Sequence, residues 1–216
     1  IIALHPRDET GSTPLFTGEW NDDLHNAFPV FATRETHAYY QEFAQQPEKH
    51  VARALAEGVA LQGEVSPLTG KKRGVDSRGQ PPVAFVDFIQ NHDQVGNRAQ
   101  GERLISLAGT ARSELLLSAL LLSPHIPLLF MGEEYGETNP FLFFTDFHGD
   151  LATAVREGRA KEFAGHAGYE DASVPDPNAL DTFTRSKLDW RRQESQSGRR
   201  WLALTRELLA QRQQWL

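Results

Sequence analysis

Apolar residues fall along the chain in short unbroken runs, separated by longer stretches where they return every third or fourth position. A run of four to eight apolar residues fits a strand buried on both faces, whereas three-to-four spacing fits a helix with one apolar stripe. On this pattern strands are expected at 1–4, 15–20, 83–89 and 127–131. Helices are expected between them at 34–44, 47–57, 101–107 and 111–122, followed by a charged helix over 150–163 and an amphipathic one over 199–213. Strand and helix in alternation is the order that builds a parallel sheet or barrel. Two segments, 62–82 and 132–150, show no period. The first mixes Gly, Pro and basic residues and the second is aromatic around Phe141-Leu142-Phe143-Phe144. Both are expected to be long loops, and long ordered loops in compact domains tend to serve a function.

Each later apolar run empties into polar residues. Trp20-Asn21-Asp22-Asp23 closes the second, Gln90-Asn91-His92-Asp93-Gln94 the third, and Gly132-Glu133-Glu134-Tyr135 the fourth. In a (β/α) barrel the C-terminal strand ends share one face, where catalysis takes place. Carboxylates at these positions would therefore line one rim. A carboxylate beside an imidazole and an amide can hold sugar hydroxyls and stabilise an oxocarbenium-like transition state. The same residues also fit a plain polar turn in which Asp93 caps the next helix. Trp20 suits a sugar platform or a core position, and Asp22 and Asp23 suit sugar contacts or a solvated loop. Spacing alone leaves these alternatives open.

Composition narrows the partners. Lys and Arg number 22 against 29 Asp and Glu, a net charge of −7 that opposes a nucleic-acid surface. The one basic cluster, Lys71-Lys72-Arg73, reads as a solvated loop. Absence of cysteine removes disulfides, thiolate metal sites and a Cys nucleophile, and fits a reducing cytoplasm. The longest apolar stretch, 115–130, is broken by Ser118, Ser123, Pro124, His125 and Pro127 and is too short for a membrane span. No basic segment precedes 1–4, so no signal peptide is read. His25, His37, His50, His125, His148 and His166 lack metal-ligand spacing, and Asp146 with His148 is a weak pair. There is no phosphate-binding glycine loop and no G-x-S-x-G elbow. Neither a cofactor, a metal, a nucleic acid nor a membrane is expected. With 216 residues the chain fills one domain but falls short of the roughly 250 of a complete TIM-type barrel.

A resemblance sharpens the reading. Phe88-Ile89-Gln90-Asn91-His92-Asp93-Gln94-Val95-Gly96-Asn97-Arg98 resembles the seventh-strand motif of the α-amylase superfamily, and 126–136, from Ile126 to Gly136, resembles its eighth-strand motif. Trp20-Asn21-Asp22-Asp23-Leu24-His25 with Tyr39-Tyr40 is narrower. Together with Pro140 to Asp146, Arg156-Glu157-Gly158-Arg159, Val174-Pro175-Asp176-Pro177 and Ser186-Lys187-Leu188-Asp189-Trp190, it is similar to the malto-oligosyltrehalose trehalohydrolases, from about Trp20 to the end of the chain. The resemblance implies a partial (β/α)8 barrel of strands 5–8, with the N-terminal half and any C-terminal β-domain absent from these 216 residues. It makes Asp93 the transition-state stabiliser and His92 a sugar ligand at the cleavage point, with Asn91 and Gln94 beside them. Glu134 and Tyr135 fall near the substrate groove, and Trp20, Asn21, Asp22 and Asp23 on its trehalose side. Glu133 is expected to be structural, paired with Arg98 or Arg103, and Gly158 and Gly165 to cap helices.

The implied activity is retaining hydrolysis of the α-1,4 bond next to the trehalose end of malto-oligosyltrehalose. In that superfamily the nucleophilic Asp follows the fourth strand, upstream of Ile1, and the general-acid Glu follows the fifth. Here Leu4 and His5 stand at the latter place, and neither supplies a raised-pKa carboxylic acid; Glu9 is out of register. The 216 residues alone are therefore expected to be inactive. A glucan branching enzyme or another α-amylase relative shares the seventh- and eighth-strand motifs and is the nearest enzymatic alternative. A non-catalytic α-glucan-binding protein is the alternative raised by Leu4.

Overall fold

The structure is a computed structural model and describes residues 7–12, 16–36, 38–164 and 174–216. The strand expected at 1–4, with Leu4 and His5, lies outside the described residues, as do His37, Gly165 and His166. In chain order the elements are β1 (Glu19–Trp20), α1 (Asp22–Thr33), α2 (Pro47–Glu57), β2 (Gln62–Val65), β3 (Lys72–Gly74), β4 (Phe85–Asp87), α3 (His92–Gly96), α4 (Leu104–Ala108), α5 (Thr110–Leu122), β5 (Ile126–Pro127), α6 (Gly149–Phe163), α7 (Leu180–Arg185) and α8 (Gln196–Trp215). They fall into two compact units. The first comprises Ile1–Ile89, Ala108–Phe130 and Ala203–Leu216, and the second Gln90–Leu107 and Met131–Leu202.

The first unit holds a parallel sheet in the order β1-β4-β5, with Glu19 opposite Phe85, Trp20 opposite Val86, and Val86 opposite Ile126. Helices intervene between successive strands, as the alternating pattern requires. The strands are shorter than their apolar runs. Pro82–Ala84 forms a 3-10 turn before β4, and Leu128 N–H still donates to Asp87 O at 2.7 Å just past β5. The core gathers Leu24, Phe28, Phe43, Phe85, Phe88, Leu116, Leu117 and Leu120, all buried.

The helix expected at 34–44 is displaced. Asn21 accepts from the Leu24 N–H at 3.2 Å and caps α1, with Asp22 and Asp23 in the first turn where carboxylates suit the helix dipole. The helix ends at Arg34, in the left-handed conformation, and the later stretch is a 3-10 turn over Ala38–Phe43. Helix α2 matches its expected bounds and stops at Gly58. That glycine has a φ of +100°, and a Cβ there would stand 2.2 Å from the Phe85 ring, so α2 can meet β4 only through a residue without a side chain. Segment 62–82 is not a featureless loop, because β2 and β3 pair antiparallel across it. Arg73 in this hairpin pairs with Asp23 at 3.8 Å and with Glu42, which corrects the solvated reading at Arg73, while Lys71 and Lys72 are exposed as that reading has them.

The second unit is built from helices and ordered loops. Segment 132–150 is irregular apart from a 3-10 turn at Glu133–Tyr135 and the start of α6. Gly158 lies inside α6 and caps nothing. Helix α7 and a 3-10 turn at Trp190–Glu194, capped by Asp189, were not expected from the pattern. Among the described residues no helix is long and apolar enough to cross a membrane.

Candidate functional site

In the first unit the polar residues after β1 share one cavity of about 500 Å³. Trp20, Asn21, Asp22 and Asp23 line it with Leu61 and Arg73. Trp20 is 44% exposed and meets Phe88 edge-on at 5.6 Å. Asp22 is exposed. Asp23 is mostly covered and accepts the Leu61 N–H at 2.8 Å. Burial pushes its carboxyl above the ordinary value, against the pull of that hydrogen bond and of Arg73.

Asn21 has a different environment. It is 2% exposed, and its amide nitrogen donates to Gly58 O at 2.7 Å and Asp87 Oδ1 at 2.8 Å. Asp87 is wholly buried and receives His125 Nδ1 at 2.7 Å on its other oxygen. Asn21, Asp87 and His125 thus form a buried chain at the ends of β1, β4 and the approach to β5. Arg212 steadies the same region by donating to His125 O at 2.6 Å and to the carbonyl of Ser123. His25 stacks on Phe88 at 5.5 Å and donates from Nδ1 to Ile89 O at 2.6 Å, a structural role. Nothing in the spacing of the sequence pointed to Asp87 or His125 as partners.

In the second unit, Asn91 begins α3. Its side-chain oxygen accepts from the N–H groups of Asp93 at 2.9 Å and Gln94 at 3.3 Å. Capping therefore falls to Asn91, not to Asp93 as the plain-turn reading had it. Asn91 is buried, while the side chains of His92 and Asp93 are each 60% exposed, with His92 Nε2 standing 3.4 Å from Asp93 Oδ1. Gln94 is half-buried in the same turn. Just before the helix, Gln90 spans two partners, accepting Leu104 N–H at 3.0 Å and donating to Glu133 Oε1 at 3.2 Å.

Glu133 is buried, as the structural reading of it requires. Arg98 approaches Glu102 at 3.5 Å, whereas Arg103 feels the Glu133 charge and donates to Asn139 O at 2.7 Å and Met131 O at 2.8 Å. Glu134 is half-buried. Tyr135 is 1% exposed, tilted against Trp190 at 6.1 Å, and its hydroxyl donates to Glu137 at 3.3 Å. Burial, then the neighbouring Glu137 and Glu134 carboxylates, push its phenol up to about 12, so it remains a neutral donor.

Glu137 is a residue the sequence reading missed. It is buried and accepts from Thr138 N–H and Asn139 N–H at 2.8 Å, Asp189 N–H at 2.7 Å and the Tyr135 hydroxyl. Four donors on one carboxylate fix the loop that carries Glu134. Glu9, the carboxyl nearest the expected acid position, is exposed in a turn tied by Asp8, which accepts from Thr10 and Ser12. Among the described residues no group of three or more His, Asp or Glu is arranged to hold a metal ion.

Carboxylates follow β1 in the first unit, and an exposed carboxylate and imidazole stand together at the start of α3 in the second; in this setting the chain is similar to α-amylase-type proteins. A crystal structure of a Salmonella typhimurium protein provisionally named an alpha amylase superposes with a TM-score of 0.94 and 73% identity, covering 99% of this chain and 36% of that one. More narrowly, the chain is 41% identical over 202 residues to the malto-oligosyltrehalose trehalohydrolase of Deinococcus radiodurans, covering 91% of this chain and 33% of that protein. It is 40% identical over 212 residues to the trehalohydrolase of Rhizobium sp. strain M-11, covering 97% and 35%. Against the Mycobacterium tuberculosis trehalohydrolase the identity is 34% over 199 residues, covering 91% and 34%. No protein-family model matches the chain. The chain is thus a homologue, nearly end to end, of a segment spanning about a third of the malto-oligosyltrehalose trehalohydrolases.

Proposed function

We propose that the chain is the later part of an α-amylase-type (β/α)8 catalytic barrel, with β1, β4 and β5 as its sixth, seventh and eighth strands. Segments 62–82 and 132–150 are its rim. The whole protein hydrolyses the α-1,4 bond beside the trehalose end of malto-oligosyltrehalose and releases trehalose, in the cytoplasm. The observation that carries this reading is the near end-to-end match to proteins named for that reaction.

The geometry supplies roles that suit it. Because Asn91 caps α3, the Asp93 carboxylate is spared from holding the helix and is exposed beside His92. A fixed anion there stabilises positive charge developing at the anomeric carbon, and His92 hydrogen-bonds the same sugar. Trp20 offers an apolar face for a pyranose ring, with Asp22 and Asp23 beside it as hydroxyl acceptors. Asn21, Asn91 and Tyr135 serve the substrate by fixing these groups in place. Gln94 and Glu134 complete the polar lining of the second unit's site.

The test is to express the full-length protein carrying this chain and incubate it with malto-oligosyltrehalose. Free trehalose is expected, with kcat reduced about 10²-fold or more in Asp93→Asn. New α-1,6 branches would identify a branching enzyme instead. Quenching of tryptophan fluorescence by maltoheptaose without turnover would identify a non-catalytic glucan binder. The 216-residue chain alone is expected to release no trehalose.

A further inference from the structure

We propose that Arg159 is a positioning residue that clamps the C-terminal end of α3 and thereby fixes the His92–Asp93 pair for catalysis; the catalytic half of this statement rests on the function proposed above. Helix α3 has only five residues, His92–Gly96. A single turn has almost no stability of its own, because nucleation fixes several residues for one hydrogen bond. Its start is secured by Asn91. Past its end the Asn97 and Arg98 N–H groups donate to Asp93 O and Val95 O, while Gly96 O lies at the negative end of the helix dipole and is met by a side chain.

A guanidinium comes to that end from α6. Arg159 Nη2 donates to Gly96 O at 2.6 Å and to Arg98 O at 3.2 Å, and Nη1 meets Glu162 at 2.8 Å. The residue is buried, and its guanidinium carbon lies 4.6 Å from the Phe163 ring and 5.0 Å from the Phe143 ring. Burying an arginine is costly unless its charge and donors are matched, and here two carbonyls, one carboxylate and two aromatic faces match them. Surface decoration by a random α6 arginine would give none of these. Arg156, on the same helix, is exposed and pairs with Asp176 at 3.2 Å. The clamp is reinforced from the chain that follows α3. Gly101, at a φ of +58°, exchanges backbone contact with Phe141, whose N–H donates to Gly101 O at 2.9 Å, and a Cβ on Gly101 would stand 2.5 Å from Phe141 O. The aromatic segment after β5 is therefore docked on the α3 segment by backbone, and Arg159 threads its guanidinium between the two.

The planar fork matters as much as the charge. Lysine could reach one carbonyl but not two with ring faces alongside. The test uses the full-length protein with Arg159→Ala and Arg159→Lys, the second guarding against a failure of the first to fold. Hydrogen exchange reads the clamp directly. The Asn97 and Arg98 amides, which donate to Asp93 O and Val95 O, should exchange about 10-fold faster or more in the Ala variant and at an intermediate rate in the Lys variant. Amides of 135–137 should keep their wild-type rates. Activity reads the positioning. Per folded molecule, well below the melting temperature, kcat on malto-oligosyltrehalose should fall 10- to 100-fold with KM within about twofold, and millimolar guanidinium should restore part of kcat in the Ala variant. Unchanged exchange at Asn97 and Arg98 would overturn the clamp. Faster exchange with wild-type kcat would overturn the positioning role. If the wild-type protein releases no trehalose, the proposed function fails, while the exchange rates still decide whether Arg159 holds α3.

Discussion

Asn21 and Asp23 are two residues apart after the same strand, yet chemistry divides them. Asn21 has an amide that can donate twice and accept at once, so it joins α1, α2 and β4 and is consumed by the fold. Asp23 carries a charge that the same crowded position penalises. Its carboxyl is held above the ordinary Asp value by burial, so the folded state binds the proton more tightly than the unfolded chain does. The stability it contributes is then complete below the unfolded value and is lost as pH rises through the raised folded value. Asp23→Asn keeps an acceptor for Leu61 N–H and does not titrate. The melting temperature of the wild type relative to Asp23→Asn should therefore fall as pH is raised from about 3.5 to 7. A difference that stays flat across that range would mean the carboxyl is not perturbed. Trp20, Asp22, His92 and Asp93 were legible as candidates because a polar burst after an apolar run is visible in one dimension. The Asp87–His125 contact and the four donors around Glu137 were not, since each depends on residues brought together only by folding.

At the scale of elements, legibility follows amphipathicity. Helices α2 and α5 sit within a residue of their expected bounds, because each shows a spaced or continuous apolar pattern between clear stops. Helix α1 is buried on nearly every side, including His25, Asn26 and Pro29, so no single stripe marks it and its interior proline argues against a helix. Its true signal is the Asn21-Asp22-Asp23 start, an N-cap followed by acidic residues, which in one dimension is equally the polar end of a strand. The β2–β3 hairpin was hidden by polar strands whose partners are Arg73 with Asp23 and Glu42 rather than apolar neighbours. Two glycines separate geometry from propensity. Gly58→Ala places a methyl against the Phe85 ring at a φ that L residues avoid, and should destabilise by on the order of 2–4 kcal/mol. Gly158→Ala, inside α6 with open space around it, should stabilise by up to about 1 kcal/mol. Denaturant midpoints of the two variants check both signs, and a neutral Gly58→Ala would show that the end of α2 is free to shift away from β4.

For the whole molecule, the sheet sets the constraint. Among the described residues β1 and β5 each pair only with β4, leaving an outer edge on either side of the sheet. Those edges carry Trp20 and Ile126, both more than two-fifths exposed, and Leu115, Leu180 and Trp215 add further exposed apolar surface. Unpaired edges and large apolar patches recruit other chains, and a closed barrel removes them. The relatives are about three times as long as this chain, which is the length that closing a barrel and adding further structure would use. If the remaining strands of the barrel normally cover these edges, the isolated 216-residue chain should self-associate, its average sedimentation coefficient rising across the micromolar range and its surface binding an apolar dye. Co-production with the upstream part of the full-length protein should suppress both effects together, because one set of strands would satisfy the backbone edges and the side chains at once. A chain that sediments as a concentration-independent monomer without dye binding would instead mean that its edges are protected from within, and the partial-barrel reading would have to give way to a self-sufficient domain.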